Sequence, residues 1–463
     1  MTVTTNGADI EALRQRFQAG MQTRLPEHLG RMTWSAERIA EQQRAGLRRL
    51  LAHAMAHSPF HARRLAGVDA GRFEPADLRS LPVMTKADMM ADFDDVVTDR
   101  AITREAVERH IARMGELPEP LAGKYICLAS GGSSGTRGVF CLDCEAAVEM
   151  GLAVLRPTIA RMLTAGPPPG GPVIGFVTAP AAVHATRVLS ALNDGGAMRL
   201  VHAPATLPLG EIVARLNAGR PNVIVGYPGM LLVLAGERSA GRLTIAPQSI
   251  ASTSENLTAE AAVAIEEAFG VGVSNTFGSS EGLMGVANPG EDSISLASDL
   301  VIVELVDAEN RPVPAGAPSD KVLITNLYNL AQPLIRYELS DCFVQRADAP
   351  DHGHMRVTVE GRSDESLVYD FATVHPLVIR GPMVKTPEVT EYQVRQTPRG
   401  GDVDVVVNAP IDERGLAERI ATSLAAAGLR DPQVTVRTVA AIDRNPQTGK
   451  ARRFVPLAAG SQR

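Results

Sequence analysis

The chain has 463 residues, of which 45% are hydrophobic and 21% are charged, so it is long enough for two or three domains around a sizeable core. The formal net charge is −6 and no block of basic residues occurs, which argues against a nucleic-acid partner. There is no run of about 18 apolar residues and no leader-like start, so we expect a cytoplasmic protein without a membrane partner.

The four cysteines are too few and too clustered for a disulfide framework, which indicates a reducing compartment. Cys141 and Cys144 have the spacing of half a zinc site, but no second Cys or His pair stands at zinc spacing. We therefore expect ordinary buried thiols and no zinc.

The first part of the chain, residues 1–100, is predicted to be helical and polar. Leu47, Leu50, Leu51 and Met55 recur there at helical spacing. Turn and capping residues interrupt this part, so we expect several helices rather than one.

A segment without apolar side chains follows at residues 130–138, with the sequence SGGSSGTRG. Glycines let the main chain approach an anion closely, and its N–H groups and the hydroxyls can then surround that anion. The segment is neither a Walker loop nor a dinucleotide fingerprint. Two interpretations stay open for the segment taken alone: a phosphate-binding loop and a flexible surface loop.

From residue 120 to about 300, short apolar runs alternate with helical patterns, which predicts a mostly parallel sheet flanked by helices. The predicted strands are Pro172–Thr178, Arg199–Ala203, Asn222–Tyr227, Ser249–Thr253 and Val271–Phe277. The predicted helices are 145–164, 182–193, 209–218, 229–239 and 258–269. Ligands collect beyond the carboxyl ends of such strands, and the polar segments 252–256 and 275–282 fall there. We therefore expect them to share one site with residues 130–138.

The rest of the chain changes character twice. Residues 300–360 are predicted to be β-rich, and a compact α+β unit with a helix at Asp412–Ala427 follows. We therefore predict a large domain over residues 1–363, with parts at 1–100, 120–300 and 300–360, and a small mobile C-terminal domain over 364–463.

Five motifs in this order resemble those of the adenylate-forming (acyl-CoA synthetase-like) superfamily, most closely its phenylacetate–CoA ligase branch. The resemblance spans residues 45–455. The motifs are residues 130–138, Phe277-Gly278-Ser279-Ser280-Glu281, Arg336-Tyr337-Glu338-Leu339-Ser340-Asp341, Gly361-Arg362-Ser363-Asp364 and Pro446-Gln447-Thr448-Gly449-Lys450.

The resemblance implies a two-step reaction and a role for each motif. A carboxylate attacks the α-phosphate of ATP to give an acyl adenylate and pyrophosphate, and the thiol of coenzyme A then displaces AMP. The implied catalytic residues are Lys450, Glu281 as Mg²⁺ ligand, and Arg336. The implied nucleotide-binding residues are Ser133, Ser134, Gly135, Thr136, Ser254, Glu255, Asn256, Thr276, Phe277, Gly278, Asp341 and Arg362. Asp364 is the implied hinge, and the implied substrate pocket is His184, Tyr227, Pro228, Gly229 and Gly282.

Departures from the family pattern leave alternatives open. The loop lacks the usual lysine and has Arg137, and Leu339-Ser340 replaces the usual Thr-Gly. Some relatives carry zinc after the ribose aspartate, but we interpret Cys342, His352 and His354 as part of a surface turn. The substrates are expected to be a small carboxylic acid, aryl or otherwise, and a nucleotide. A carrier-protein thiol or an amine as acceptor, nitrite as substrate, a non-catalytic nucleotide-binding role and a homodimer stay open.

Overall fold

The structure is a computed structural model, and it describes residues 7–114, 117–129, 138–166, 168, 170–179, 183–195, 198–346, 352–362, 367–369, 372–374, 378–379, 382–383, 386, 388–407, 409–444, 453–455 and 457. The α-helices are α1 (Gly7–Arg31), α2 (Ala36–His57), α3 (Pro59–Arg64), α4 (Lys86–Ala91), α5 (Phe93–Val96), α6 (Arg104–Arg113), α7 (Cys144–Ala165), α8 (Ala185–Asn193), α9 (Leu209–Gly219), α10 (Pro228–Ser239), α11 (Ala259–Phe269) and α12 (Glu413–Ala426). The strands are β1 (Ile126–Ala129), β2 (Val139–Leu142), β3 (Val173–Val177), β4 (Arg199–His202), β5 (Val223–Gly226), β6 (Ser249–Thr253), β7 (Val273–Gly278), β8 (Met284–Ala287), β9 (Ile294–Leu296), β10 (Val301–Val306), β11 (Lys321–Asn326), β12 (Tyr337–Leu339), β13 (Asp341–Gln345), β14 (Arg356–Arg362), β15 (Leu367–Tyr369), β16 (Ala372–Val374), β17 (Val389–Thr397), β18 (Gly400–Val407), β19 (Gln433–Thr438) and β20 (Phe454–Val455).

The largest sheet in the described part of the chain has nine strands in the order β13-β14-β9-β8-β7-β6-β5-β3-β4. The strands β4, β3, β5, β6 and β7 run parallel, which confirms the predicted α/β class. From β7 onward the sheet continues with antiparallel strands. This antiparallel half was not predicted as part of the same sheet.

The order of the parallel strands reverses at β3. The chain leaves β3 through α8 to reach the edge strand β4, and it returns through α9 to β5 on the other side of β3. Val188 of α8 packs in the core of the N-terminal helices, whereas Ile212 of α9 and Leu231 of α10 pack in a second core with α11. The loops after β3 and β5 therefore lead to opposite faces of the sheet, and a crevice opens between them at the carboxyl ends.

Local sequence explains where the helices next to the sheet begin and end. Asp143 caps α7 by accepting a hydrogen bond from the N–H of Ala146 at 2.8 Å. Thr258 caps α11 in the same way at 3.1 Å, and Gly270 ends that helix with φ of 70°. Asp and Thr are favoured before the first turn of a helix because their side chains accept from its free N–H groups, and Gly is favoured after the last turn because it adopts positive φ without strain.

The smaller sheets complete the fold. β10, β11 and β12 form one sheet, and β1 pairs with β2 on either side of residues 130–138. In the C-terminal part, β19, β18, β17 and β20 form a sheet that α12 covers with Leu416, Ile420 and Leu424. This matches the predicted small α+β unit, while its boundary at residue 364 and its mobility stay predictions. Among the described residues, every helix is too short or too polar to cross a membrane.

A buried ion pair joins α7 to the start of β10. Arg156 donates to both oxygens of Asp299 at 2.7 and 2.8 Å, and both side chains are almost completely buried. Burial alone would raise the pKa of Asp299, but the hydrogen bonds and charge of Arg156 outweigh it and hold that pKa at about 2.

Replacing Arg156 by methionine leaves Asp299 buried without its main partner, so we expect the free energy of unfolding to fall by about 3–5 kcal/mol. The folded pKa of Asp299 lies below its ordinary value of 3.8. The stability that this group contributes is therefore complete above that ordinary value and is lost as the pH falls toward about 2. Urea unfolding at neutral pH measures the first effect, and its pH dependence measures the second.

The control is Arg72→Met, which removes an exposed partner of Asp69 and should leave the stability nearly unchanged. If Arg156→Met is as stable as the wild type, the ion pair does not stabilise the fold.

Candidate functional site

The carboxyl ends of β6 and β7 bring two of the predicted segments together. The strands are parallel neighbours in which Thr253 is opposite Thr276, so Ser254 follows one strand beside Phe277 of the other. The hydroxyl of Ser252 donates to the side-chain oxygen of Asn275 at 2.9 Å, which joins the strand ends. The structure thus places residues 254–256 next to residues 276–278, as expected, while their contact with a nucleotide stays a prediction.

Glu281 lies in a tight turn between β7 and β8. The N–H of Gly282 donates to the carbonyl of Ser279 at 3.1 Å, and Gly282 has φ of 100°. Asn326, at the end of β11, donates to the carbonyl of Glu281 at 3.0 Å, and the hydroxyl of Tyr328 donates to the carbonyl of Gly282 at 2.9 Å. Two buried donors therefore hold the backbone directly after the Glu281 side chain, which is only 8% exposed.

A buried tyrosine hydroxyl lies within electrostatic reach of Glu281. Tyr337, in β12, is completely buried and its hydroxyl has no hydrogen-bond partner among the described residues. Burial raises the pKa of Tyr337 strongly, and the negative charge of Glu281 raises it further. The ring packs edge-on against Phe140 of β2 at 6.3 Å, so it stands beside the strand that follows residues 130–138.

Asp341 begins β13 and is buried, with 6% exposure. Its strand pairs with β14, where Asp341 is opposite Arg362. Phe343 of the same strand packs edge-on against Phe277 at 5.1 Å. This aromatic contact brings the strand that starts at Asp341 against β7, which carries the turn of Glu281.

The predicted substrate pocket falls at the crevice between β3 and β5. His184 directly precedes α8, and Tyr227-Pro228-Gly229 begins α10. The hydroxyl of Tyr227 accepts a hydrogen bond from the N–H of Ala179 at 2.8 Å, which ties the two loops together. Burial raises the pKa of Tyr227, and the nearby charge of Glu255 adds to this effect. The crevice is thus directly beside the loop that follows β6.

Arg444 connects the small C-terminal unit to this site. Its guanidinium lies 2.8 Å from Glu391 of β17 and 3.7 Å from Glu255, and all three side chains are mostly buried. A side chain at Gly229 would overlap this guanidinium. Residue 444 directly precedes residues 445–450, which lie outside the described residues.

Several predicted site residues lie outside the described residues: Ser133, Ser134, Gly135, Thr136, Asp364 and Lys450. The side chain of Arg362 is also outside them. Their roles stay predictions. The residue before the glycine-rich segment, Ala129, donates its N–H to the carbonyl of Val183 at 3.0 Å, so this segment begins beside the loop of His184.

Arg336 is engaged away from the turn of Glu281. Its guanidinium pairs with Glu304 at 2.9 Å and donates to the carbonyl of Leu81 at 2.6 Å. Its carbonyl accepts from the N–H of Met84 at 2.9 Å. In this structure Arg336 anchors the N-terminal part to β10, and its catalytic role stays a prediction.

The residues considered for a metal site, Cys342, His352 and His354, lie in other surroundings than a metal site. The ring nitrogens of His354 lie 3.1 Å from the carbonyl of Leu296 and 2.9 Å from that of Arg31. Within the residues that the structure describes, no group of three potential metal-ligating side chains occurs. Cys342 and His354 are buried, so the predicted surface turn is wrong for these two residues. His354 instead connects the sheet to α1.

Buried amides that the sequence did not point to hold β2 in place. Gln332 accepts from the N–H of Cys141 at 2.7 Å and donates to the carbonyl of Val139 at 3.2 Å. Asn329 donates to the carbonyl of Cys141 at 3.0 Å. The polar residues Asn326, Asn329 and Gln332 recur every three positions in an otherwise apolar stretch, which is the signal by which they can be recognised.

Comparison with known proteins agrees with this geometry. No family model matches the sequence. A phenylacetate-coenzyme A ligase of Thermus thermophilus is 25% identical over 396 residues, which cover 80% of this chain and 81% of the relative. A crystal structure of 2-hydroxyisobutyryl-CoA ligase with 2-HIB-AMP in the postadenylation state superposes with a TM-score of 0.68 at 17% identity, covering 92% of this chain and 91% of that one. The chain has the adenylate-forming ligase fold. The family resemblance predicted from the motifs is therefore confirmed.

Within the adenylate-forming ligase fold, the chain adopts one arrangement of its parts. The same 2-hydroxyisobutyryl-CoA ligase in the thioesterification state, with 2-HIB-AMP and CoA, matches at a TM-score of only 0.53 with equal coverage. The postadenylation arrangement is thus the closer of these two.

A methyl group at residue 282 would overlap the buried amide of Asn326 and the hydroxyl of Tyr328. Both groups are hydrogen-bonded to the turn and cannot move without losing those bonds. We expect Gly282→Ala to lower the free energy of unfolding by more than the roughly 1–3 kcal/mol of backbone strain alone. Gly290→Ala is the matched control, because Gly290 also has positive φ, 82°, but open space around it. Equal urea midpoints for the two variants would contradict the clamped turn.

The stability of the protein should depend differently on the hydroxyls of the two buried tyrosines near Glu281. Tyr328→Phe removes a donor from the carbonyl of Gly282, so we expect it to lower the unfolding free energy by about 1–3 kcal/mol. Tyr337→Phe removes a hydroxyl without a partner in the described structure, so we expect unchanged or higher stability. Chemical denaturation of both variants measures this, and a similar loss in both would contradict the different environments.

Proposed function

We propose that the protein is an AMP-forming acid–CoA ligase. It activates a small carboxylic acid with ATP as an acyl adenylate, releasing pyrophosphate, and then transfers the acyl group to the thiol of coenzyme A. The observation that carries this proposal is the convergence of the Glu281 turn, the strand of Asp341 and the ends of β6 and β7 in an adenylate-forming ligase fold. The sequence similarity to a phenylacetate-coenzyme A ligase and the structural similarity to a 2-hydroxyisobutyryl-CoA ligase support it.

The chemistry of the first step explains the residue types. A carboxylate that attacks a phosphate must overcome the repulsion of two anions, so positioning and positive charge matter more than covalent help. Ser133, Ser134 and Thr136 would hold the β- and γ-phosphates with their hydroxyls and with neighbouring N–H groups. Lys450 would donate to the oxygen between the acid and the α-phosphorus as negative charge develops there.

The buried carboxylate of Glu281 fits a magnesium ion, which prefers oxygen ligands and neutralises phosphate charge when bound. The turn would present this carboxylate in a fixed direction, because Asn326 and Tyr328 hold the backbone carbonyls of Glu281 and Gly282. The hydroxyl of Tyr337 would donate a hydrogen bond to an oxygen beside Glu281. Asp341 would accept the two ribose hydroxyls with its two oxygens.

The acid would bind in the crevice at His184, Tyr227 and Gly229, and adenine would lie against Phe277 and residues 254–256. For the second step, the small unit would turn about Asp364 and withdraw Lys450. Nothing in the described residues favours a carrier-protein thiol, an amine or nitrite over coenzyme A. The cytoplasmic location and the homodimer stay predictions.

The test of the function is pyrophosphate release from ATP with a panel of small carboxylic acids, followed by AMP release with and without coenzyme A. Lys450→Ala should lower acid-dependent pyrophosphate release by at least about 100-fold, because a preorganised cation at the reacting oxygen is lost. It should leave thioester formation from a supplied acyl adenylate nearly unchanged.

Lys124→Ala is the control, because Lys124 is an exposed lysine whose ion-pair partner is Asp99. Wild-type pyrophosphate release by Lys450→Ala would refute the role of the lysine. AMP release that is equally fast with and without coenzyme A for every acid would refute coenzyme A as the acceptor.

A further inference from the structure

A polar pocket lies at the carboxyl ends of β3 and β4, one strand away from the crevice between β3 and β5. Its volume is about 60 Å³, several times the roughly 10–15 Å³ that one water molecule needs. A group of a few heavy atoms therefore fits. The lining residues that carry polar groups into the argument are Thr178, Ala179, Arg187, Ser190, His202 and Arg215.

The charges on this lining are positive. It contributes two guanidinium groups and an imidazole, and none of the lining residues is acidic. Arg187 is buried, with 9% exposure, whereas Arg215 is half exposed and pairs with Glu211 at 2.6 Å on the outer side of α9.

Arg187 is held against the face of His202. One terminal nitrogen of Arg187 lies 3.4 Å from Nδ1 and 3.3 Å from Nε2 of the imidazole. An in-plane hydrogen bond would reach one ring nitrogen much more closely than the other, so this terminal nitrogen lies over the face of the ring. The same nitrogen is 3.4 Å from the hydroxyl of Ser190. Aromatic and hydroxyl contacts thus fix the planar donor group at the pocket wall.

We propose that this pocket binds a compact oxyanion, namely a carboxylate or phosphate group of a small molecule. Arginine is the side chain whose planar donors match such oxygens in pairs. The guanidinium groups of Arg187 and Arg215 supply the charge, and the hydroxyls of Thr178 and Ser190 supply further polar contacts.

The position of the pocket names two sources for this group. The N–H of Ala179 at its wall bonds to Tyr227 in the crevice, and β3 lies two strand spacings from β6, which is roughly 10 Å. A dicarboxylic acid bound in the crevice would reach the pocket with its second carboxylate. Coenzyme A would reach the pocket with one of its phosphates. The choice between these sources rests on the proposed function, but the binding itself does not.

Binding is tested by calorimetric titration of the full-length protein with inorganic phosphate at constant ionic strength. We expect saturable binding that Arg187→Gln weakens at least tenfold and Arg215→Gln weakens to a smaller extent. Arg199→Gln is the control, because Arg199 lies at the opposite end of β4 and is exposed. Phosphate bound at the candidate nucleotide site does not depend on residue 187. Only the binding that Arg187→Gln weakens is therefore assigned to the pocket.

The proposal is overturned if the wild type binds no phosphate or if both pocket variants bind it as the wild type does. Circular dichroism shows whether Arg187→Gln is folded. Since Arg215 is half exposed, Arg215→Gln decides the matter if the first variant does not fold.

The source is identified by kinetics of Arg187→Gln. A KM increase of at least tenfold for dicarboxylic acids, with monocarboxylic acids unchanged, assigns the pocket to the acid. An increase for coenzyme A that disappears with dephospho-coenzyme A assigns it to the thiol substrate. Unchanged kinetics with Arg187-dependent phosphate binding assigns it to a separate anionic ligand. A wild type without ATP turnover would refute the proposed function, and the titration would still judge the pocket.

Discussion

The candidate site depends on how the turn after β7 satisfies its backbone. Buried carbonyl groups need donors, and the carbonyls of Glu281 and Gly282 receive theirs from Asn326 and Tyr328. Neither donor belongs to the same sheet as the turn, since both come from the end of β11. The antiparallel sheet of β10, β11 and β12 therefore serves as the support that orients a carboxylate at the edge of the larger sheet.

The topology of the large sheet explains why distant segments meet. Its parallel half collects the loops after β3, β5, β6 and β7 at one edge, and the reversal at β3 opens a crevice among them. Its antiparallel half then returns Asp341 to the same region, where Phe343 packs on Phe277. A nucleotide and an acid bound at this edge would be neighbours because of the strand order alone, whatever side chains contact them.

Much of this architecture is predictable from the sequence, because strand and helix signals alternate clearly between Val173 and Phe269. The roles proposed for Glu281 and Asp341 come from their motifs, whereas the strand that begins at Asp341 was not predicted. The contact partners are not predictable, because they come from remote positions: Arg336 bonds to Glu304, Asn326 to the turn, and Arg444 to Glu255. Arg336 illustrates the limit, since its motif does not indicate its contacts with Glu304 and Leu81. Such pairings depend on the packing of whole elements, which periodicity does not encode.

Gly229 gives the crevice a property that concerns how the two parts of the molecule meet. The volume that a side chain would occupy at this position is filled by the end of Arg444, which reaches through it toward Glu255. The absence of a side chain at Gly229 thus lets Arg444 lie between Glu255 and Glu391. A larger residue there would displace this guanidinium from its two carboxylate partners.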